Sequence, residues 1–160
     1  MTHCLKSFEE LIHICTELRD EGKQIVTTNG TYDLLHPGHV ATLREAKGMG
    51  DILIVAINSD ASVRKLKGPQ RPIFTQAERA TMLCALRWVD YVTIFDEATP
   101  LNILQTLKPD FHVKGGTFFQ ERVEEEKNAV EMYGGQLVML DLVCDYSTTK
   151  IIEACRKLEM

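Results

Sequence analysis

Residues 52–57, Ile-Leu-Ile-Val-Ala-Ile, form an unbroken apolar run in a chain of 160 residues. A strand that is apolar on both faces is typical of a parallel sheet covered by helices on both sides. Four further strand-like segments alternate with helical patterns and lie at 24–29, 88–95, 111–114 and 136–141. Strands and helices that alternate in this way predict parallel βαβ units, and therefore an α/β fold with a five-stranded parallel sheet.

The chain has room for a single domain, because 160 residues with 44% apolar content are too few for two ordinary domains. Ser7 with Glu10 and Thr75 with Glu78 have the spacing of capping boxes, which mark two helix starts. After Ser7, apolar residues recur at helical spacing as far as Gly22. We therefore expect an N-terminal helix within residues 1–23, followed by one globular unit over residues 24–160.

Two charged segments are expected to face solvent. Residues 58–72 collect lysine and arginine among glycine and proline, which favours a flexible basic loop. Residues 120–133 have helical character, and Glu124-Glu125-Glu126 is interpreted as a solvated face of that helix. By contrast, His112 alternates with apolar neighbours on a predicted strand, so a hydrogen-bonded structural role is favoured for it.

The net charge of −5 and the pI near 5.5 argue against nucleic acid or an anionic membrane as a partner. A small anionic ligand stays possible, because a local group of basic residues could still hold one. The chain has no apolar run of 18 residues and no basic-then-apolar leader, so we expect a cytoplasmic protein that does not span a membrane.

Five cysteines are scattered along the chain, and none forms a C-x-x-C pair. An odd number without paired spacing favours reduced thiols over a disulfide framework or a zinc site. Cys15, Cys84 and Cys155 fall among apolar helical positions, which predicts core packing for these three.

His36-Pro37-Gly38-His39 follows the first predicted strand and precedes a predicted helix. At a helix start, free backbone N–H groups and the positive end of the helix dipole favour phosphate. Proline suits the first helical position, and glycine lets a ligand approach the backbone closely. Imidazole can donate to phosphate oxygens that gain charge during transfer. A surface turn that happens to carry two histidines is the alternative, and the position after a strand favours a site.

Ligands of parallel α/β sheets bind beyond the carboxyl ends of the strands. In this chain the conspicuous polar and basic residues fall in the segments that follow the predicted strands: 29–39, 58–72, 95–99, 114–118 and 141–149. The chain contains no G-x-x-x-x-G-K-[ST] phosphate loop, no G-x-G-x-x-G fingerprint and no G-x-S-x-G elbow. The commonest kinase, dehydrogenase and hydrolase classes are therefore disfavoured.

Several motifs between residues 24 and 152 carry a more specific resemblance: Asn29-Gly30-Thr31-Tyr32-Asp33-Leu34-Leu35-His36-Pro37-Gly38-His39, Asn58-Ser59-Asp60, Arg71-Pro72, Glu78-Arg79 and Ser147-Thr148-Thr149. In these motifs the chain resembles the nucleotidyltransferase superfamily that includes the cytidylyltransferases. It is most similar to the adenylyltransferase domain of bacterial heptose enzymes, which join a sugar 1-phosphate to AMP. The resemblance implies a single-domain, Rossmann-like three-layer fold and, without the kinase domain that often precedes this unit, a free-standing transferase.

The resemblance also implies roles for individual residues. His36, His39 and Lys67 would be catalytic, acting on phosphate oxygens during direct displacement at the α-phosphorus. Substrate binding would involve Asp33, Asp60, Lys65, Arg71 and Arg79, although a turn-capping role for Asp33 is an open alternative. Residues expected to bind the nucleotide are Asn29, Gly30, Thr31, Tyr32, Gly38, Lys114, Gly115, Gly116, Ser147 and Thr148. Mg²⁺ would arrive with the triphosphate and needs no dedicated protein site.

The implied partners are ATP and a sugar 1-phosphate, namely D-glycero-D-manno-heptose 1-phosphate, which would give ADP-heptose for lipopolysaccharide or capsule synthesis. Leu142 and Gly116 depart from glycerol-3-phosphate cytidylyltransferases, which carry Arg and Asp there, and this weakens an assignment to CTP. A cytidylyltransferase acting on an alcohol phosphate or phosphonate remains the alternative, and a non-catalytic nucleotide sensor is the alternative of a different class. The apolar face of the first helix favours a homo-oligomer such as a dimer.

Overall fold

The computed structural model describes residues 3–115, 120–141 and 147–158. Over these residues the strands are β1 Ile25–Gly30, β2 Ile52–Asn58, β3 Tyr91–Phe95, β4 Phe111–Gly115 and β5 Gln136–Leu140. The helices are α1 Phe8–Asp20, α2 Pro37–Lys47, α3 Asp60–Lys67, α4 Gln76–Cys84, α5 Leu101–Leu107, α6 Gln120–Glu131 and α7 Thr148–Leu158. None of the described helices has the length and apolar character needed to cross a bilayer.

The strands form one sheet in the order β3-β2-β1-β4-β5, and every neighbouring pair is parallel. The predicted α/β class and the five-stranded parallel sheet are thus confirmed. The chain builds outward from β1 to β3 and then returns to place β4 on the other side of β1. The strand order therefore reverses between β1 and β4, which is where ligands bind in open α/β sheets.

The apolar run of β2 shows how the sheet forms a core on both faces. Leu53, Val55 and Ile57 pack on one face in a cluster with α2 and α4 residues. Ile54 and Ala56 pack on the opposite face in a cluster with residues of α1 and α5. Because successive strand residues point to opposite faces, both must be apolar when helices cover both. The outcome is a three-layer arrangement, as expected.

Both capping boxes predicted from the sequence are present. Ser7 accepts from the backbone N–H of Glu10, whose carboxylate in turn accepts from the Ser7 N–H at 2.7 Å. Thr75 and Glu78 make the same reciprocal pair at the start of α4. Each satisfies backbone donors that the first turn of a helix leaves without partners.

The prediction of a flexible loop over residues 58–72 is wrong for its first half, which forms α3. Ser59 caps this helix by accepting from the backbone N–H of Ser62, and Ser62 and Val63 are buried. The helix is short, and only Val63 and Leu66 supply large apolar side chains, so its periodicity is hidden by the surrounding charge.

The prediction of reduced thiols is wrong for one pair, because the structure joins Cys4 and Cys84 in a disulfide with Cα atoms 5.7 Å apart. The segment around Cys4 runs along the outer edge of β3, where Lys6 N–H donates to the Val92 carbonyl at 2.9 Å. Cys15 is a buried free thiol as predicted, whereas the free thiol of Cys155 is exposed rather than packed in the core.

Candidate active site

The site predicted from the sequence lies at the reversal of strand order, where β1 and β4 end side by side. Asn29 and Gly30 close β1, and Gly115 closes β4. From β1 the chain passes through Thr31, Tyr32 and Asp33 to α2, which begins with Pro37 and Gly38 immediately after His36.

The two motif histidines stack on each other, with ring centroids 3.8 Å apart and an angle of 24° between the planes. His39 also contacts the Tyr32 ring, with centroids 4.9 Å apart. Within the described residues, the Nδ1 atoms of both histidines are buried without a hydrogen-bond partner. Buried polar atoms are usually satisfied, so two adjacent exceptions at a helix start indicate a ligand position.

Burial sets the charge of the histidine pair. It lowers the pKa of His39 to about 4, with the neighbouring His36 adding to the effect and the Leu34 backbone opposing it. Burial also lowers the pKa of His36. Both rings are therefore neutral at pH 7, and each offers one N–H donor.

The low pKa of His39 predicts a titration that can be followed by NMR. The unfolded chain protonates this ring near its usual value of 6.5, so between pH 6.5 and 4 the unfolded state binds more protons. The stability linked to His39 is complete above pH 6.5 and is lost as pH falls through about 4. We expect its ring-proton shift to titrate near pH 4, and near a higher pH once a triphosphate is added. A midpoint at 6.5 without ligand would contradict the described burial.

Tyr32 packs against the histidine pair through its contact with His39. Its backbone is left-handed with φ 48°, and its ring is buried, which raises the pKa of its hydroxyl to about 12. A Cβ on Gly30 would lie 3.0 Å from this ring. A side chain at position 30 would therefore press on the Tyr32 ring, which lies close to the end of β1.

Asp33 is buried and holds the loop that follows α3. Its carboxylate accepts from the backbone N–H groups of Ile73 and Phe74 at 2.7 and 3.2 Å, and it pairs with Arg71 Nε. These contacts reach residues 38 to 41 positions further along the chain, so they are not the local turn cap of the alternative. They fix Arg71 beside the motif, so Asp33 can act on a substrate through Arg71.

Arg79 is fully buried beneath the site rather than in its wall. Its guanidinium donates to the carbonyls of Thr31 and Phe74 at 2.6 and 3.1 Å and to the Asp60 carboxylate at 2.7 Å. The substrate-binding role expected for Arg79 does not fit this position, because the side chain is fully buried and donates to three protein acceptors. Arg79 and Asp60 instead support the two loops that carry Thr31 and Arg71.

Lys65 and Lys67 are exposed on the last turn of α3. No hydrogen bond among the described residues ties either amine to the histidines, so the catalytic role of Lys67 stays a prediction. Gly68 follows with φ 98° and ends the helix. The sequence signal for these lysines is their charge alone.

The start of α7 does lie next to the histidine loop. Ser147 caps the helix by accepting from the Lys150 N–H at 3.2 Å, and Thr148 Oγ1 donates to the Leu34 carbonyl at 3.5 Å. The residues at this helix start, predicted to hold the triphosphate, are therefore near the residues that precede His36. Gly116 and Leu142 fall outside the described residues.

Five side chains form a polar network between α6 and the end of β1: Thr27, His112, Glu126, Lys114 and Asn29. We call these residues the Glu126 network. The Glu126 carboxylate contacts Lys114 Nζ at 2.6 Å and His112 Nε2 at 3.3 Å. Lys114 also donates to Asn29 Oδ1 at 2.8 Å, and His112 Nδ1 lies 2.8 Å from Thr27 Oγ1.

The network confirms the structural role predicted for His112 and corrects the assignment of Glu126. Glu126 is buried, not solvated, with a side chain that is 4% exposed. Burial opposes ionisation of Glu126, but its contacts with His112 and Lys114 outweigh that effect and lower its pKa. Burial lowers the pKa of Lys114 and of His112. No local pattern distinguishes Glu126 from its acidic neighbours.

Gly115 permits close packing between β4 and α2. A Cβ on this residue would overlap the side chain of Thr42. Gly115 was expected to bind the nucleotide, and the structure shows the Thr42 side chain where a Cβ of residue 115 would lie. The glycine is therefore needed for helix packing at the edge of the site.

Gly115→Ala is expected to destabilise the fold by about 1–3 kcal/mol, as overpacking does. Thr42→Ala in the same chain should recover most of that loss, because it removes the atoms that the new methyl group meets. Urea unfolding of both single variants and the double variant measures this coupling. Strictly additive losses would contradict a direct contact between the two positions.

Comparison with known proteins agrees with the geometry. A family model described as cytidylyltransferase-like matches residues 27–154. Curated relatives named Bifunctional protein HldE are 48% identical in Syntrophotalea carbinolica, over 96% of this chain, and 50% identical in Geobacter metallireducens, over 93% of it. The chain spans about a third of these relatives, 32% and 30% of their lengths.

Two solved structures share the fold. One is a lipopolysaccharide core biosynthesis protein from Thermoplasma volcanium, with a TM-score of 0.64 and 27% identity over 79% of this chain and all of that one. The other is a pantoate-beta-alanine ligase from Francisella tularensis, with a TM-score of 0.66 over 99% of this chain and 79% of the ligase. At 14% identity the ligase supports the fold alone.

Proposed function

Because the chain belongs to the cytidylyltransferase-like family, we propose that it is a nucleotidyltransferase that joins a sugar 1-phosphate to AMP from ATP. The proposed acceptor is D-glycero-D-manno-heptose 1-phosphate, and the products are ADP-heptose and pyrophosphate. The observation that carries the proposal is the stacked histidine pair at the start of α2, with two buried Nδ1 atoms that lack partners among the described residues.

The reaction is a direct displacement. A phosphate oxygen of the sugar phosphate bonds to the α-phosphorus, and the bond from that phosphorus to the bridging oxygen of the β-phosphate breaks. The electron pair leaves with pyrophosphate, so the protein needs no nucleophile. What this chain supplies is position and charge stabilisation: neutral His36 and His39 donate N–H groups to phosphate oxygens that gain charge in the transition state.

The starts of α2 and α7 would hold the rest of the triphosphate. Both are helices of eleven residues, and their first turns present backbone N–H groups at the positive end of the helix dipole. Thr31 and Tyr32 would bind phosphates from the loop between β1 and α2. Lys65, Lys67 and Arg71 would contribute cations from the α3 side.

Mg²⁺ would enter with the triphosphate. In the described ranges no three histidine, cysteine, aspartate or glutamate side chains gather as a metal site. The Asp33 carboxylate, which could face the metal, already accepts from the protein. Phosphate oxygens and water would then be the main ligands, as is usual for Mg²⁺ with nucleotides.

ATP is proposed over CTP because the chain resembles the adenylyltransferase domain of bacterial heptose enzymes, and because Leu142 and Gly116 depart from the glycerol-3-phosphate cytidylyltransferases. The curated relatives are bifunctional by name, and this chain aligns with about a third of their length. The adenylyl transfer step is the part of their activity that we propose for the residues in this chain. A cytoplasmic location and a homo-oligomer such as a dimer remain predictions.

Pyrophosphate release tests the proposal. The protein is incubated with ATP, CTP, GTP or UTP, each with heptose 1-phosphate or glycerol 3-phosphate. Release of pyrophosphate only from the combination of ATP and heptose 1-phosphate supports the assignment. Release only with CTP would establish the cytidylyltransferase alternative instead, and nucleotide binding without release for any acceptor would favour a sensor.

A further inference from the structure

The Glu126 network has two arms that meet at one carboxylate. One arm runs through His112 to Thr27, which is buried inside β1. The other runs through Lys114 to Asn29, which is partly exposed at the carboxyl end of the same strand. Only the second arm reaches the candidate active site.

The chemistry of Lys114 fixes the orientation of the Asn29 amide. An ammonium group has donors and no acceptor, so the side-chain oxygen of Asn29 must face Lys114. The Nδ2 group, with its two donors, then occupies the other branch of the planar amide. Asn29 directly precedes Gly30 and Thr31, so its amide belongs to the end of β1 at which the loop assigned to the nucleotide begins.

Lys114 needs Glu126 to stay in this place as a cation. A buried ammonium is costly unless an acidic partner compensates it, and the Glu126 carboxylate lies 2.6 Å from Nζ. If Lys114 lost its charge or moved, its contact with Asn29 Oδ1 would weaken, and the amide could rotate. The orientation of Asn29 thus depends on a residue in α6 that does not reach the end of β1 itself.

We propose that Glu126 is a positioning residue, which through Lys114 holds the Asn29 amide with its Nδ2 donors directed at the bound nucleotide. The inference rests on the proposed function to the extent that the ligand is a nucleoside triphosphate. Glu126 does not contact that ligand; it controls the donor that does.

The test measures the dissociation constants of ATP and CTP by calorimetry, together with urea unfolding. Glu126→Gln should weaken binding of the preferred nucleotide about tenfold, the effect of losing one hydrogen bond to a charged group. Thr27→Val is the matched control, because it breaks the other arm at the same network. It should lower stability and leave the dissociation constant unchanged. Equal weakening in both variants would show a merely structural network and overturn the proposal.

Asn29→Asp keeps the inference testable if Glu126→Gln does not fold. Aspartate retains an acceptor for Lys114 but replaces the Nδ2 donor by a second oxygen. It should weaken binding by at least as much as Glu126→Gln, without loss of stability. Unchanged affinity in Asn29→Asp would overturn this inference alone. If the unaltered protein bound neither ATP nor CTP, the proposed function would fail, and this inference with it.

Discussion

Replacing His39 by alanine is expected to lower kcat for pyrophosphate release by about 100-fold or more, the usual cost of one transition-state donor. The expected loss follows from its position. His39 stacks on His36 at the start of α2, and its Nδ1 is buried without a partner in the described part of the chain. The variant loses the ring contacts with His36 and Tyr32 but no hydrogen bond at Nδ1, so we expect it to remain folded.

The loss should appear in kcat more than in KM for ATP, because the donor acts where charge develops during transfer. His13→Ala removes an exposed imidazole from α1 and should leave both constants unchanged. The double variant at His36 and His39 should lose less than the product of the single losses, since the stacked rings serve one group of oxygens. Near-normal turnover in His39→Ala would remove His39 from the mechanism.

The elements that could be predicted from the sequence are those with a local signal. The run at residues 52–57 indicated a strand covered on both faces, and its residues do alternate between the two core clusters. Ser7 with Glu10 and Thr75 with Glu78 marked two helix starts, because a capping box is a contact across three residues. Once the strands and helix starts were assigned, the topology of parallel sheets predicted a ligand site at the carboxyl ends of the strands.

The position of the histidine pair was predictable, but its charge state was not. The spacing of His36 and His39 placed two imidazoles at a helix start. The low pKa of His39 arises from burial against Tyr32 and other residues, which no spacing reveals. The same holds for Gly115, whose absent side chain leaves room for Thr42 on a different element.

Prediction from the sequence was wrong where a residue's environment depends on contacts with residues distant in the sequence, or where the local pattern is weak. Cys4 and Cys84 are 80 residues apart and meet only because the N-terminal segment runs along β3. Glu126 belongs to an acidic triplet and becomes buried because β4 places Lys114 and His112 opposite it. Helix α3 was obscured by its own two lysines and one arginine.

Arg79 lies on a helix whose start the sequence marks, but its partners at Thr31 and Asp60 are distant in the sequence. Its replacement gives the second large prediction. Arg79→Met is expected to lower the free energy of unfolding by about 3–5 kcal/mol, because a fully buried guanidinium loses two hydrogen bonds to carbonyls and its ion pair with the partly exposed Asp60. Methionine retains much of the side chain's apolar length, so the loss comes mainly from the donors. The carbonyls of Thr31 and Phe74 lose their guanidinium partner, and the Asp60 carboxylate loses its counter-charge.

Urea unfolding compares this variant with two controls. Arg64→Met removes an exposed guanidinium from α3 and should change stability by less than about 0.5 kcal/mol. Asp60→Asn keeps an oxygen for Arg79 and should cost less than Arg79→Met, because only the charge is lost. Since Arg79 joins the loop at Thr31 to the loop at Phe74, the surviving folded fraction of Arg79→Met should also bind nucleotide more weakly. A loss below about 1 kcal/mol would mean that the three hydrogen bonds contribute little and that other contacts hold these loops.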